Sequence, residues 1–518
     1  MIDNPPKSAV VAVIDIGSSA IRMVIAEVGP KTEIRYLENL QKPIKFGQEV
    51  FATGGMTNQS MNQAVQIILN FKQVIDGYGI KHIRAVATSA VREAINRETF
   101  TDRVFVRTGI EVELIGGPEE NRLELIAVEH ALEGKVALDE KDCLIIEIGS
   151  GSTEMIVLHH GKVEVTRTLA IGTMRLPENL NPAKNEAEVL QKELKRNVKE
   201  TIIYLSKEYS FNNLNTFIAL GADMRFVSKQ LTDIKDETFA IIDKKPFVTF
   251  VGKISKMTPD EIVSQFGVPF FQAETLYVSL LFYYLYLNET QADQLIVPMV
   301  SIRDGVLVEL SQLLSGYKRT DVSKQVINSA KHLGEKFQYD KAHAQCITQL
   351  AVRLFDQMGA DHGMGARERL LLEVSGILHD IGSYISPSGH QKHSAYLINA
   401  TDIFGLRKSD KDIVANVVRY HRRTGPKESH EPYMSLPKVE RANVSKLAAI
   451  LRVADALDNS HQQKIKTFEF EKTEKSYNMW VSADVGDISV ERANLEEKGQ
   501  FFTDIFGIPV FLKKRAAS

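Results

Sequence analysis

The sequence predicts a multi-domain α/β chain: two related α/β lobes, then an all-α domain, then a small α+β segment. Three observations carry that expectation. The first third of the chain contains one strand–turn–strand unit twice, at 13–29 and again at 145–161. The length of 518 residues exceeds what a single hydrophobic core organises. Beyond a turn-rich link at Ser315-Gly316, apolar residues recur at three- and four-residue spacing, the period of a helix.

The two copies read VIDIGSSAIRMVIAEVG and IIEIGSGSTEMIVLHHG. Set 132 residues apart, six of their 17 positions are identical, and the shared order is what matters. An apolar strand ends in a carboxylate (Asp15, Glu147), a tight Gly/Ser turn follows, and a second apolar strand returns. Either copy alone reads as well as an ordinary core hairpin; carboxylate and turn recurring in register do not. Small residues let backbone N–H groups approach and cradle phosphate oxygens. A carboxylate at the strand end suits a divalent cation held against the same phosphates. Two such turns facing each other make a phosphate clamp. Gly17, Ser18 and Ser19 form one side; Gly149, Ser150, Gly151, Ser152 and Thr153 form the other.

This duplication resembles the superfamily of sugar kinases, heat-shock ATPases and actin. Further segments narrow the resemblance to the exopolyphosphatase / guanosine pentaphosphatase (Ppx/GppA) phosphatase family. They are Thr88-Ser-Ala-Val-Arg92-Glu-Ala-Ile-Asn96, Gly117-Pro-Glu-Glu120-Asn-Arg122-Leu, Gly149-Ser-Gly-Ser-Thr-Glu154, Gly172-Thr-Met-Arg175-Leu and Arg303-Asp-Gly305. The resemblance implies two actin-like (ribonuclease H-like) lobes, 1–128 and 129–314, a helical domain at 315–464 and a small α+β segment at 465–518. It also implies a hydrolase acting on terminal phosphoanhydride bonds. The leading substrate is inorganic polyphosphate, releasing orthophosphate; guanosine pentaphosphate is the alternative, because the same clamp and water serve both.

Residue by residue, the resemblance gives Glu120, two before Arg122, the part of general base for the attacking water. Arg22, Arg92 and Arg122 bind phosphate oxygens, which a guanidinium grips in pairs. Asp15, Glu147 and Glu154 position Mg²⁺ (or Mn²⁺). The chain departs from the family at Glu147, where an Asp is usual, and at Ser19-Ala20, where Asn-Ser is usual. Asp223 adds a negative charge where the family has small residues. These departures keep open a reading of another class, a weakly catalytic sensor of polyphosphate or nucleotide. A kinase is disfavoured, because the adenosine-side glycine cluster is missing at Gly221-Ala222-Asp223.

The helical part carries its own chemistry. His343, His379-Asp380 and Asp455 stand in an order that resembles the HD domain, a helical metal-dependent phosphohydrolase module. His390, His393 and His421 add imidazoles, and eight of the 13 histidines fall between 343 and 461. Imidazole with carboxylate selects a transition ion over Mg²⁺, so a second metal is expected there. In the last segment Phe468 and Phe470, then Tyr477, Met479 and Val481, alternate as strands do. A helix over 495–506 and a strand over 509–512 follow, and Lys513, Lys514 and Arg515 read as a solvated basic end.

Composition sets the remaining expectations. A net charge of −3 lacks the basic excess of a nucleic-acid binder, so none is expected as partner. Two cysteines, Cys143 and Cys346, form no disulfide framework and suit a reducing cytosol. The N-terminus has no export pattern, and the longest apolar stretch, 276–287, is too short to span a bilayer. A cytoplasmic protein away from membranes is expected, and the resemblance suggests a homodimer.

Overall fold

The computed structural model describes residues 8–29, 33–175, 187–207, 209–233, 238–315, 322–422 and 424–515. Residues 1–7 and Gly316 of the expected link lie outside that set. Two compact units, Met1–Asp321 and Val322–Ser518, divide the chain.

The first unit holds two sheets with one plan. In the first sheet β1 (Ala9–Ile16), β2 (Ala20–Val28) and β3 (Ile34–Pro43) form an antiparallel meander. β4 (His82–Ala87) and β5 (Val112–Leu114) then add parallel to β1, giving the order β3-β2-β1-β4-β5. In the second sheet β6 (Asp142–Ile148), β7 (Thr153–His159) and β8 (Lys162–Leu169) repeat the meander. β9 (Thr216–Ala219) pairs parallel to β6; β10 (Phe239–Asp243) and β11 (Gln294–Pro298) complete the order β10-β11-β9-β6-β7-β8. The central strands are apolar on both faces, as strands covered on both sides must be. The internal sequence repeat is therefore a repeat of topology.

Helix Gly117–Leu132 is buried almost all round, charged residues included. It packs on β7, β8 and β11 and crosses helix Ile302–Ser315. At the crossing a side chain on Gly305 would run into the Leu123 backbone, so the Arg-Asp-Gly segment is there for close approach. The apolar stretch 276–287 lies inside helix Phe270–Asn288, buried in the core of the second lobe.

The second unit is mostly helical. Helices Val322–Lys336, Lys341–Gln357, Ala366–Leu378, Lys408–Arg419 and Lys438–Ala456 share one core. A turn at 337–340 parts the helices Val322–Lys336 and Lys341–Gln357. A small sheet, β12 (Glu469–Lys472), β13 (Tyr477–Val481) and β14 (Val510–Lys514), closes onto the same core. The helix expected over 495–506 is two, Ser489–Lys498 and Gln500–Phe506, parted at Gly499 where helix propensity is low. Cys143 and Cys346 are buried and unpaired. Among the described residues no helix is long and apolar enough to cross a membrane.

Candidate active site and a second cluster

Where the two sheets face each other a cavity of about 200 Å³ opens. It is lined by both Gly/Ser turns, by Arg22 and by six carboxylates: Asp15, Glu120, Glu124, Glu147, Glu154 and Asp223. Pockets that enclose a whole small ligand run to roughly 300–1,000 Å³, and this one is smaller.

Each turn is held by backbone bonds to its carbonyls. Ser18 O and Ser19 O accept from Gly47 N at 2.8 Å and Ile44 N at 3.0 Å. Gly149 O and Ser150 O accept from Thr173 N at 3.0 Å and Met174 N at 2.9 Å. A trans peptide points its N–H opposite its C=O, so the amides of Ser19, Ala20, Ser150 and Gly151 turn away from these partners. The Gly-Thr-Met-Arg segment thus supports the second turn. Arg175 finishes the task, donating through Nε to Gly151 O and through Nη2 to Glu93 at 2.5 Å in the first lobe. The turns also touch directly, Ser150 Oγ donating to Ser19 Oγ at 3.3 Å.

The strand registers place Asp15 opposite Arg22 and, at the equivalent points, Glu147 opposite Glu154. The first pair is an ion pair at 3.4 Å. The second is two like charges, and Glu154 Oε1 is buried with no hydrogen-bond partner. Burial, with Glu120 and Glu147 nearby, holds the Glu154 carboxyl well above the usual carboxylate range. Such a set suits a divalent cation. Asp15, Glu147 and Glu154 fit Mg²⁺, which takes a few carboxylate oxygens and completes its shell with waters and substrate phosphates.

Glu120 enters the cavity from the first turn of its helix, almost fully buried. Arg92 donates to it and also to Ile115 O at 2.7 Å. Burial raises the Glu120 carboxyl; Arg92 opposes that, and Asp15 and Glu147 add to it. Glu119 points elsewhere. It accepts from Arg122 Nε and Nη2, both at 2.8 Å, while Arg122 Nη1 reaches Glu309 at 2.6 Å.

Three sequence-derived phosphate ligands therefore stand differently from the rest. Arg122 is absent from the cavity wall because buried Glu119 and partly exposed Glu309 take all three of its nitrogens. Thr153 lies in β7 with its hydroxyl on Ile171 O at 2.7 Å. Arg92 stands behind Glu120 instead of lining the cavity. Of the six lining carboxylates one was missed: Glu124, a helical turn beyond Glu120 and so on the same face, a spacing the sequence displays. Burial first, then Glu147, holds its carboxyl well above the ordinary range. Asp223 does face the cavity; Gln272 donates to it at 2.9 Å, and burial raises its carboxyl.

A model of the Ppx/GppA phosphatase family matches residues 24–314. The chain belongs to the Ppx/GppA phosphatase family. A second model, for domain III of the Ppx/GppA phosphatases, matches residues 327–497. Two relatives carry the name guanosine-5'-triphosphate,3'-diphosphate pyrophosphatase. The one from Photobacterium profundum is 22% identical over 465 residues, 87% of this chain and 86% of its own. The one from Aliivibrio fischeri is 21% identical over 457 residues, 86% of each. The crystal structure of the Aquifex aeolicus family member has a TM-score of 0.51 at 23% identity, covering 60% of this chain and all of that one. An exopolyphosphatase from Cytophaga hutchinsonii has a TM-score of 0.53 at 21% identity, covering 60% of this chain and 99% of its own. The fold is the actin-like two-lobed one with a helical C-terminal part, and the chain is a hydrolase.

Within the second unit the ordered histidines and aspartates meet. His343 Nε2 lies 3.3 Å from His379 Nε2, 3.7 Å from Asp455 Oδ1 and 4.0 Å from Asp380 Oδ2. His379 Nε2 is 3.4 Å from the same Asp380 oxygen. Burial lowers the His379 imidazole to about 4, so it is neutral. For His343 burial acts the same way, but Asp455 and Asp458 outweigh it and raise the ring to about 9. His393, one of the added imidazoles, is absent from both His/Asp groupings found here. Asp458, which accepts from His343 Nδ1 at 2.9 Å, was not anticipated.

Proposed function

We propose that the chain hydrolyses the terminal phosphoanhydride bond of a polyphosphorylated substrate in the cleft of its first unit. The observation that carries this is Glu120: a buried carboxylate in mid-cavity, with Arg92 behind it and a Gly/Ser turn on each side. Glu120 orients the attacking water and takes its proton. The backbone amides of Ser19, Ala20, Ser150 and Gly151, with Arg22, hold the phosphate oxygens in line. Asp15, Glu147 and Glu154 hold Mg²⁺ (or Mn²⁺), which supplies neutralisation of phosphate charge among six carboxylates. Arg92 orients Glu120, and Arg122 secures the helix that carries it.

Inorganic polyphosphate is the leading substrate, since only the end of a chain needs to enter a cavity this small. The names of the two relatives favour guanosine pentaphosphate as the second reading. Phosphate release from both substrates, measured side by side with Mg²⁺, decides between them. Release from neither leaves the sensor reading. The same proposal places the protein in a reducing cytosol, as a homodimer without nucleic-acid partner, with domains at 1–128, 129–314, 315–464 and 465–518. In the second unit it assigns one transition ion to His343, His379, Asp380 and Asp455, as in an HD domain.

A further inference from the structure

The second sheet carries a histidine pair at the end away from the cleft. β6 begins at Asp142, and the register sets Asp142 directly opposite His159 on β7. Six residue steps, from 142 to 148, separate that pair from the Ile148–Thr153 pair beside the phosphate turn. At about 3.4 Å a step the two ends lie roughly 20 Å apart, too far for the outer one to touch a phosphate at the turns.

At this outer end the chain reverses in two residues. His159 pairs with Lys162, and between them His160 and Gly161 have positive φ, 47° and 72°. Such a hairpin needs left-handed backbone at both positions, and Asn-Gly fills it best. Histidine is among the few side chains that enter this region readily. His160 N donates to Lys141 O at 3.1 Å, which ties the turn to the start of β6.

The turn thus holds two neighbouring imidazoles beside one carboxylate. The rings meet edge to face, centroids 4.4 Å apart at 70°. Asp142 Oδ1 lies 2.7 Å from His159 Nδ1. The Tyr209 hydroxyl hydrogen-bonds to Asp142 as well, the kind of outer contact that orients a ligating carboxylate. Asp142, His159 and His160 each bring one ligand atom to within 4.8 Å of the others'. Atoms bound about 2.1 Å from one ion stand at most about 4.2 Å apart, a gap that rotation of two exposed imidazoles closes.

We propose that Asp142, His159 and His160 form a site for one divalent transition ion at the outer end of this strand pair. Two imidazoles with one carboxylate favour such an ion over Mg²⁺. Three protein ligands leave a position to water. The ligands come from β6, from β7 and from the turn that follows, so the bound ion clips the two strands together.

The test uses the full chain, Zn²⁺ as probe and excess Mg²⁺ throughout. Carbethoxylation of His159 and His160 is read by peptide mass spectrometry along a Zn²⁺ titration. Both rings should react without Zn²⁺ and become protected together, at one Zn²⁺ concentration. His160→Asn keeps the backbone the turn needs; it should bind one Zn²⁺ fewer per chain in equilibrium dialysis and leave His159 unprotected. Taking the difference between the two chains cancels ions held elsewhere. Asp142→Asn should raise the Zn²⁺ needed for protection by at least about tenfold. Equal reaction of either ring with and without Zn²⁺ overturns the site. So does a His160→Asn chain that keeps the native ion count, or an Asp142→Asn chain protected as the native one is.

Discussion

Glu147 and Glu154 stand directly opposite each other on adjoining antiparallel strands, like charges at the position where the first lobe pairs Asp15 with Arg22. Directly opposed like charges destabilise a sheet. The pair persists only with a proton or a cation between its members.

Mg²⁺ should therefore raise the thermal stability of the first unit as well as activate it. Binding to the native state alone adds about 2.7 kcal/mol at a hundredfold excess over Kd. Calorimetry with and without chelator reads the shift. Glu147→Asp should keep activity and Mg²⁺ dependence, whereas Glu147→Ala should lose both. Full activity in Glu147→Ala beside an inactive Glu147→Asp would take the metal away from this pair.

Glu120→Gln should lower kcat by about 10²–10⁴ with little change in substrate affinity, because the amide keeps shape but accepts no proton. Single-turnover phosphate release and equilibrium binding separate the two effects. Glu119→Gln should keep its turnover, since Glu119 faces Arg122.

Arg122→Met tests whether that arginine serves structure or substrate. Removing one partner of a buried ion pair costs up to about 3–5 kcal/mol, and Arg84, 2.6 Å from Glu309 and 3.6 Å from Glu119, remains to offset part of that. Denaturant unfolding should show that loss. KM of the folded fraction should stay near native; a selective rise in KM at unchanged stability would return Arg122 to the substrate.

Glu129, further along the same helix, gives a pH signature. Burial pushes its carboxyl up to about 7. The folded state then keeps the proton more tightly than the unfolded chain does. Stability attached to this group is fully present below the unfolded value of about 4.5 and is lost as pH rises to about 7. Glu129→Gln should thus be more stable than the native chain at pH 8, by about 1–2 kcal/mol, and similar to it at pH 4.5. Unfolding midpoints at the two values check the sign.

The sequence alone determined the duplicated strand–turn–strand units, the sheets they nucleate and the carboxylate at each strand end. Period and turn chemistry are local, so Asp15, Gly17, Glu147 and Gly149 could be placed from their neighbours in the chain. The order of His343, His379, Asp380 and Asp455 was legible only through its resemblance to the HD domain. Tertiary structure decided what each charged group faces. Arg122 and Glu120 are two residues apart on one helix, yet one meets Glu309 and the other meets the cavity. A helix turns successive side chains to different faces, and only the packing of helix Ile302–Ser315 and the two sheets around it settles which face is buried against what. Likewise the pairing of His390 with His421 on the second oxygen of Asp380 comes from helix ends 31 residues apart, brought together by a shared core.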